Sequence, residues 1–197
     1  MDYIVEILDE SHATIIEDFT CAENDDNLIR LGFNSKERRK IRKHNNEMDR
    51  FLQKEALLEQ SKNLNTTHMF LNKDKTELIA FVSICNDCIP LELDEKEGYG
   101  FTYATIPSLK VARLAINSKF QGRKFYNTIF QYVIYQALTI RNYAGLVFIT
   151  LDCFKHRKSF YMKKLGFIEN KKQNFTKAFD PPTSMRISID DYLETIV

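Results

Sequence analysis

The sequence predicts a mixed α/β domain organised around a parallel strand–helix–strand unit. Three observations carry this. Residues 109–117 are rich in β-formers, and their centre, Val111-Ala-Arg-Leu-Ala-Ile116, is mostly apolar, as in a strand buried on both faces. Residues 125–141 place Ile129, Phe130, Val133, Ile134, Ala137 and Leu138 at helical spacing. Leu146-Val-Phe-Ile-Thr-Leu151 is again β-rich. Strand, helix and strand in that order call for two parallel neighbours joined by a crossover.

The remaining elements follow in chain order. Tyr3-Ile-Val-Glu-Ile-Leu8 alternates as a strand does. Residues 24–60 contain no proline, are rich in Asn, Lys, Arg, Glu and Leu, and read as helices. Met48, Phe51, Leu52, Ala56 and Leu57 recur there at helical spacing. Residues 67–71 and 78–84 read as two strands of a hairpin closed by the polar run 72–76. Residues 86–100, with Asp87, Glu92, Asp94, Glu95, Glu97, Pro90, Gly98 and Gly100, read as an exposed acidic loop. Asn142 and Gly145 stop the long helix. A second helix over about 156–165 ends at Gly166, Phe167 starts a strand, Pro181-Pro182 breaks the chain, and Met185–Ile189 is a last strand.

At 197 residues the chain is expected to be one domain, 1–197, long enough to bury a core without cross-links. Hydrophobic residues make up 44%, with 15 Phe and 9 Tyr, which excludes disorder over most of the chain. No apolar run approaches the roughly 18 residues of a membrane span. The start lacks the basic and apolar stretches of a signal peptide, so a cytoplasmic location and no membrane partner are expected. Lys and Arg total 28 against 27 Asp and Glu, so any basic surface must be local. Four cysteines are too few for a disulfide scaffold. Cys85-Asn-Asp-Cys88 has zinc or redox spacing, but no second ligand pair accompanies it, and no metal is expected.

Three signals carry chemistry. The first is the turn Gln121-Gly122-Arg123-Lys124 between a strand and a helix. Its free N–H groups, the helix dipole and the charges of Lys119, Arg123 and Lys124 suit a phosphate; the plainer reading is a helix start with solvated cations. The second is Ser159-Phe-Tyr-Met-Lys-Lys-Leu-Gly-Phe167, a helix that ends at a glycine cap and carries Tyr161. That phenol is either a core tyrosine or a proton donor suited to a thiolate leaving group. The third is the run Lys36, Arg38, Arg39, Lys40, Arg42, Lys43, six cations against one acid over residues 36–44, which either attracts phosphates or is a solvated helix face.

The Val111–Ile116 strand, the phosphate turn, the strand ending at Asp152 and the Phe160-Tyr-x-x-x-Leu-Gly-Phe167 ending together resemble the GNAT superfamily of acetyl-CoA-dependent N-acetyltransferases, over about residues 67–189. The resemblance implies an α/β (α+β) fold: a mixed, mostly antiparallel sheet with a central parallel βαβ unit flanked by helices. It also implies acetyl-CoA as cofactor, held by Leu114, Ala115 and Ile116 along the pantetheine arm and by Gln121, Gly122, Arg123, Lys124, Phe125, Tyr126 and Asn127 around the pyrophosphate. A backbone N–H of the Leu114–Ile116 stretch would polarise the thioester carbonyl, and Tyr161 would be the general acid.

Upstream, Phe19-Thr-Cys21, Asp49-Arg-Phe51-Leu52, Ala56, Gln60, Thr67 and Phe70-Leu71 resemble the toxin-type branch of that superfamily. Membership there implies aminoacyl-tRNA as acceptor and a ribbon-helix-helix antitoxin as partner; a homodimer is left open. About 20 extra residues, rich in the basic run, stand between Cys21 and Asp49. The family's phosphate turn reads R/Q-x-x-G-x-G/A, whereas here Lys124 and Tyr126 occupy the two small positions. That departure keeps a second reading in play, a binding module with a degenerate cofactor turn. The acidic stretch keeps a third, an acetyltransferase acting on a protein or small-molecule amine. Neither Asp152 nor the 87–97 carboxylates identifies a general base.

Overall fold

A computed structural model describes residues 2–173 and 181–194. They form β1 (Tyr3–Ile7), α1 (Ala13–Glu17), α2 (Asp25–Arg30), α3 (Ser35–Arg50), a π-helical segment (Phe51–Glu55), α4 (Ala56–Ser61), β2 (Thr66–Asn72), β3 (Leu78–Pro90), α5 (Leu93–Tyr99), β4 (Thr105–Ile116), α6 (Phe125–Arg141), β5 (Phe148–Cys153), α7 (Lys155–Leu165), β6 (Ile168–Glu169), β7 (Thr183–Ser188) and α8 (Ile189–Glu194). The strands make one seven-stranded sheet in the order β1-β2-β3-β4-β5-β7-β6, mostly antiparallel, with β4 and β5 parallel, as expected of a GNAT-like fold. The βαβ expectation holds, and α6 spans the residues that the apolar periodicity marks. β5 is displaced by two residues, starting at Phe148 and reaching Cys153.

The chain divides into two compact units: residues 1–84 with 113–130, and residues 85–112 with 131–197. In the first, β1, β2 and β3 form an antiparallel meander with Tyr3 opposite Asn72 and Met69 opposite Phe81. Its core packs Leu8, Phe19, Cys21, Phe51, Leu52, Ala56, Met69, Leu71, Phe81 and Ala115. Phe81 meets the Phe19 ring edge-on at 5.5 Å and stacks on Phe51 at 6.1 Å. Helix α3 starts at a reciprocal cap: Asn34 Oδ1 accepts from Glu37 N–H, and Glu37 Oε2 accepts from Asn34 N–H. It buries only Ile41 and Asn45.

In the second unit β5 pairs with β4 from Phe148 opposite Ser108 to Leu151 opposite Val111, where that ladder ends; on its other side it stays paired with β7 as far as Cys153. Two expectations fail here. Residues 86–100 are not an acidic loop: β3 runs on to Pro90, and α5 forms behind a reciprocal cap between Glu92 and Glu95. The ion pairs that fix these carboxylates involve residues far along the chain. Arg186 meets Glu95 at 2.6 Å, with both side chains buried, and its guanidinium lies 5.5 Å over the Phe148 ring. Lys171 pairs with Asp94. The β4 strand is also not buried on both faces: Val111 and Ala115 are buried, Leu114 and Ile116 half-buried and Arg113 exposed, with its guanidinium 5.2 Å over Phe51.

Candidate active site

The phosphate turn lies in the first unit. Asn117 anchors it, donating its side-chain amide to Leu78 C=O and accepting Lys119 N–H, while its own N–H bonds Ile79 C=O. After Gln121 two residues take left-handed backbone, Gly122 at φ 79° and Lys124 at φ 58°, and α6 begins at once with Phe125. Gly122 needs its missing side chain for that dihedral and not for space, since nothing stands within 4 Å of where a Cβ would be. Lys124, at the position where the family carries a small residue, adopts the conformation that glycine favours. The turn therefore keeps a glycine-type path with a lysine in it. Left-handed residues in such a turn aim successive N–H groups into one concavity, and the first N–H groups of α6 have no preceding carbonyl within the helix.

Side chains sort differently from the backbone. Arg123 is exposed over the Phe120 ring at 5.2 Å, and Lys124 and Asn127 are exposed. Phe125 is buried, edge-on to Tyr3 and Phe70 at 5.6 and 5.8 Å, so it can offer a ligand only its backbone. Ala115 is core, while Leu114 and Ile116 are half-buried. Gln121 turns inward, away from any phosphate: its Nε2 donates to Cys21 C=O at 2.9 Å and to Ile116 C=O at 3.0 Å. Lys119 is taken by Glu77 at 2.5 Å. The donor set fits a pyrophosphate through backbone N–H groups, with Arg123 and Lys124 as the available charges.

Tyr161 lies in the second unit, on α7. The helix ends where Gly166, left-handed at φ 73°, and Phe167 both donate their N–H to Tyr161 C=O. The Tyr161 ring packs edge-on against Phe160 at 5.3 Å and Phe167 at 5.9 Å. Phe160 itself is only half-buried, not the core residue that its helical offset suggests. Desolvation pushes the Tyr161 phenol up to about 12, with the Arg157 charge opposing and Cys153 adding to the rise. The Cys153 thiol, 3.3 Å from Met185 sulfur, is likewise pushed by burial up to about 11, which makes it a poor nucleophile.

Sequence reasoning misses a polar cluster on β3, β4 and β5 of this unit. Lys110 meets Asp152 at 2.6 Å, and the Thr150 hydroxyl donates to Asp87 at 2.7 Å. Burial opposes the Lys110 ammonium, but the bond and charge of Asp152, with Asp87 and Cys85, more than offset it and raise its pKa. Asp152, near the end of β5 and without a role legible in the sequence, is thus an ion-pair partner. Alternation along adjacent strands was the only signal that could have found this cluster. Cys85 and Cys88 stand three apart on a strand, hence on opposite faces, and no group that could hold a metal occurs among the described residues.

The basic run forms the exposed side of α3. Arg39, Arg42, Lys43, Asn46, Glu47 and Arg50 line a shallow cleft of about 600 Å³. Arg38 stands apart, half-buried, donating to Phe33 C=O at 2.9 Å and meeting Asp25 at 3.3 Å; Arg42 shares that carboxylate at 3.2 Å. Lys36 and Lys40 are exposed on the same helix. Asn46 and Arg50 belong to the stripe but lie past the run that the sequence marks.

No family model and no curated protein matches the chain. Solved structures do. A structure of AtaT complexed with acetyl-methionyl-tRNAfMet superposes with a TM-score of 0.74 at 14% identity, covering 100% of both chains. A tyrosine-to-phenylalanine mutant of KacT gives 0.74 at 14% identity over 99% of each chain. AtaTR bound with acetyl-CoA gives 0.69 at 16% identity over 100% of this chain and 99% of that one. From end to end, the chain has the fold of these toxin-type GNAT acetyltransferases.

Proposed function

We propose that the chain, with residues 1–197 as one transferase domain, is an acetyl-CoA-dependent N-acetyltransferase whose acceptor is the amino group of an aminoacyl-tRNA. The observation that carries the reading is the turn: Lys124 keeps the left-handed backbone of the missing glycine, so the phosphate concavity survives the departure in sequence. The occupants of the similar structures agree with it, acetyl-CoA in one and an acetylated methionyl-tRNA in another. Further AtaT structures hold the antitoxin AtaR, which supports an antitoxin partner here.

Acetyl-CoA, when bound, supplies the thioester carbon that the amine attacks. The chain's residues do the rest. Backbone N–H groups from Gln121 to Tyr126 bind the pyrophosphate, Asn127, whose N–H is held by Lys124 C=O, offers its exposed side chain, and backbone of Leu114–Ile116 orients the arm and offers an N–H to the carbonyl oxygen. Tyr161 is protonated throughout the neutral range, because its phenol is raised to about 12, and it delivers a proton to the departing sulfur. The proton balance closes when the amine releases one. The α-amino group of a peptide has a pKa of about 7.7–8.0, and an amino acid esterified to tRNA likewise lacks the free carboxylate that would raise it, so it needs no strong base. Asp87 and Asp152 are already engaged by Thr150 and Lys110.

Labelled acetyl-CoA offered to the protein with total charged tRNA is expected to label tRNA. Label appearing only in a protein extract would overturn the acceptor. Tyr161→Phe is expected to lower the chemical step by about 10²–10⁴-fold with acetyl-CoA affinity nearly unchanged. Wild-type turnover in that variant would remove Tyr161 from the mechanism.

A further inference from the structure

The turn does not hold its shape alone. In the first unit its entry, from Ser118 to Gln121, is bonded to a strap of chain at residues 17–21. One side of the strap is gripped by a face of the helix that begins as α3. Asn45, Asp49 and Gln53 recur there every four residues. The Asn45 carbonyl accepts from the Cys21 thiol at 3.5 Å. The Asp49 carboxylate accepts from Cys21 N–H and from the Thr20 hydroxyl, both at 2.8 Å. Gln53 Nε2 donates to the carbonyls of Glu17 and Phe19, both at 3.2 Å.

The other side of the strap holds the turn. Thr20 C=O accepts Ser118 N–H at 2.8 Å. Cys21 C=O accepts Gln121 Nε2, which at the same time binds Ile116 C=O. The two hydrogens of one amide thus tie the end of β4, the strap and the start of the turn together. Helix, strap and turn form one unbroken chain of hydrogen bonds, and none of the side chains in it points at a ligand.

We infer that this strap is the positioning element of the phosphate turn, and that Asp49, Thr20 and Gln121 are positioning residues for acetyl-CoA. The inference rests on the cofactor reading above. It explains why Gln121 opens the turn although its side chain is turned away from the phosphate, and why an aspartate three residues before Leu52 accompanies the Phe19-Thr20-Cys21 run.

The test uses the full chain with Gln121→Met and Thr20→Val, which keep shape and charge but remove donors, and Thr20→Ser, which restores the hydroxyl. Acetyl-CoA affinity is measured by calorimetry well below the melting temperature, with deuterium exchange of residues 117–124 in the ligand-free protein. Gln121→Met is expected to weaken acetyl-CoA about tenfold and Thr20→Val about threefold, as loss of one or two positioning hydrogen bonds would. In Thr20→Val turnover at saturating acetyl-CoA should stay within about twofold, exchange of the turn should quicken in both variants, and Thr20→Ser should restore affinity and exchange. A lowered melting temperature with unchanged affinity would mark the strap as ordinary structure and overturn the inference alone. A wild-type chain that binds no acetyl-CoA would overturn the cofactor reading and the positioning role with it, even if exchange still quickened.

Discussion

Helix α3 and the acidic stretch 87–97 look alike in the sequence. Each concentrates one sign of charge, and each reads as a face for a ligand of the opposite sign. In the structure they differ in kind. Apart from half-buried Arg38, the α3 cations stand on one exposed side of a helix that buries only Ile41 and Asn45. The carboxylates of 87–97 are taken up by the fold: Asp87 by Thr150, Asp94 by Lys171, and Glu95, buried, by Arg186. Both runs have counter-ions, and what separates them is burial: Arg42, Lys43 and Arg50 pair in solvent, where such pairs are weak and exchangeable, whereas Glu95 is paired inside the fold. The acidic stretch therefore no longer argues for a cationic acceptor, and the basic helix remains open to a polyanion.

Three measurements would break or sharpen that contrast. The largest effect is expected at Glu95. Glu95→Ala leaves Arg186 buried with Asn170 as its remaining hydrogen-bond partner, and removing one member of a buried pair costs about 3–5 kcal/mol. Denaturant unfolding measures it, and a loss under about 1 kcal/mol would place Glu95 with the exposed charges. Next, Arg39, Arg42, Lys43 and Arg50 changed together to Gln should leave stability within about 0.5 kcal/mol per site. The same variant should weaken tRNA binding and flatten its salt slope by about 0.9 for each duplex phosphate that the helix no longer neutralises. An unchanged slope would make the α3 stripe a solvated face. The smallest effect belongs to Asp94, whose pair with Lys171 is exposed. The Lys171 ammonium holds the carboxyl below its ordinary value. A depressed folded pKa contributes stability above the unfolded pKa, about 3.9, and loses it as pH falls further. The melting-temperature gap between wild type and Asp94→Asn should thus be small at pH 7 and close under acid; a gap that widens there would contradict the pairing.

What the sequence discloses and what it hides follow the same division. Local patterns are legible: the Ile129–Leu138 stripe gives α6, and the glycine at 166 gives the cap beside Tyr161. Interactions that span the chain are not. Glu95 finds Arg186 91 residues on, and Gln121 finds Cys21 100 residues back. With those partners unseen, α5 looks like a loop and Gln121 like a ligand-facing side chain. The inward bias of β4 is lost for a related reason. Alanine and isoleucine in Val111–Ile116 say that the strand is apolar, but only its neighbours decide that Leu114 and Ile116 stay half-open.

The left-handed lysine at 124 has a consequence for how such turns are recognised. Holding a non-glycine residue at positive φ costs about 1–2 kcal/mol, while glycine there would add unfolded-state freedom worth about 0.4–1 kcal/mol. The strain is the larger of the two, so the lysine is held at a net cost of up to about 1.6 kcal/mol relative to glycine. What the side chain brings in exchange is an exposed charge at the mouth of the turn. A glycine signature can be absent from the letters while the backbone path that glycine favours is present, so a turn of this kind is better recognised by dihedral than by letter.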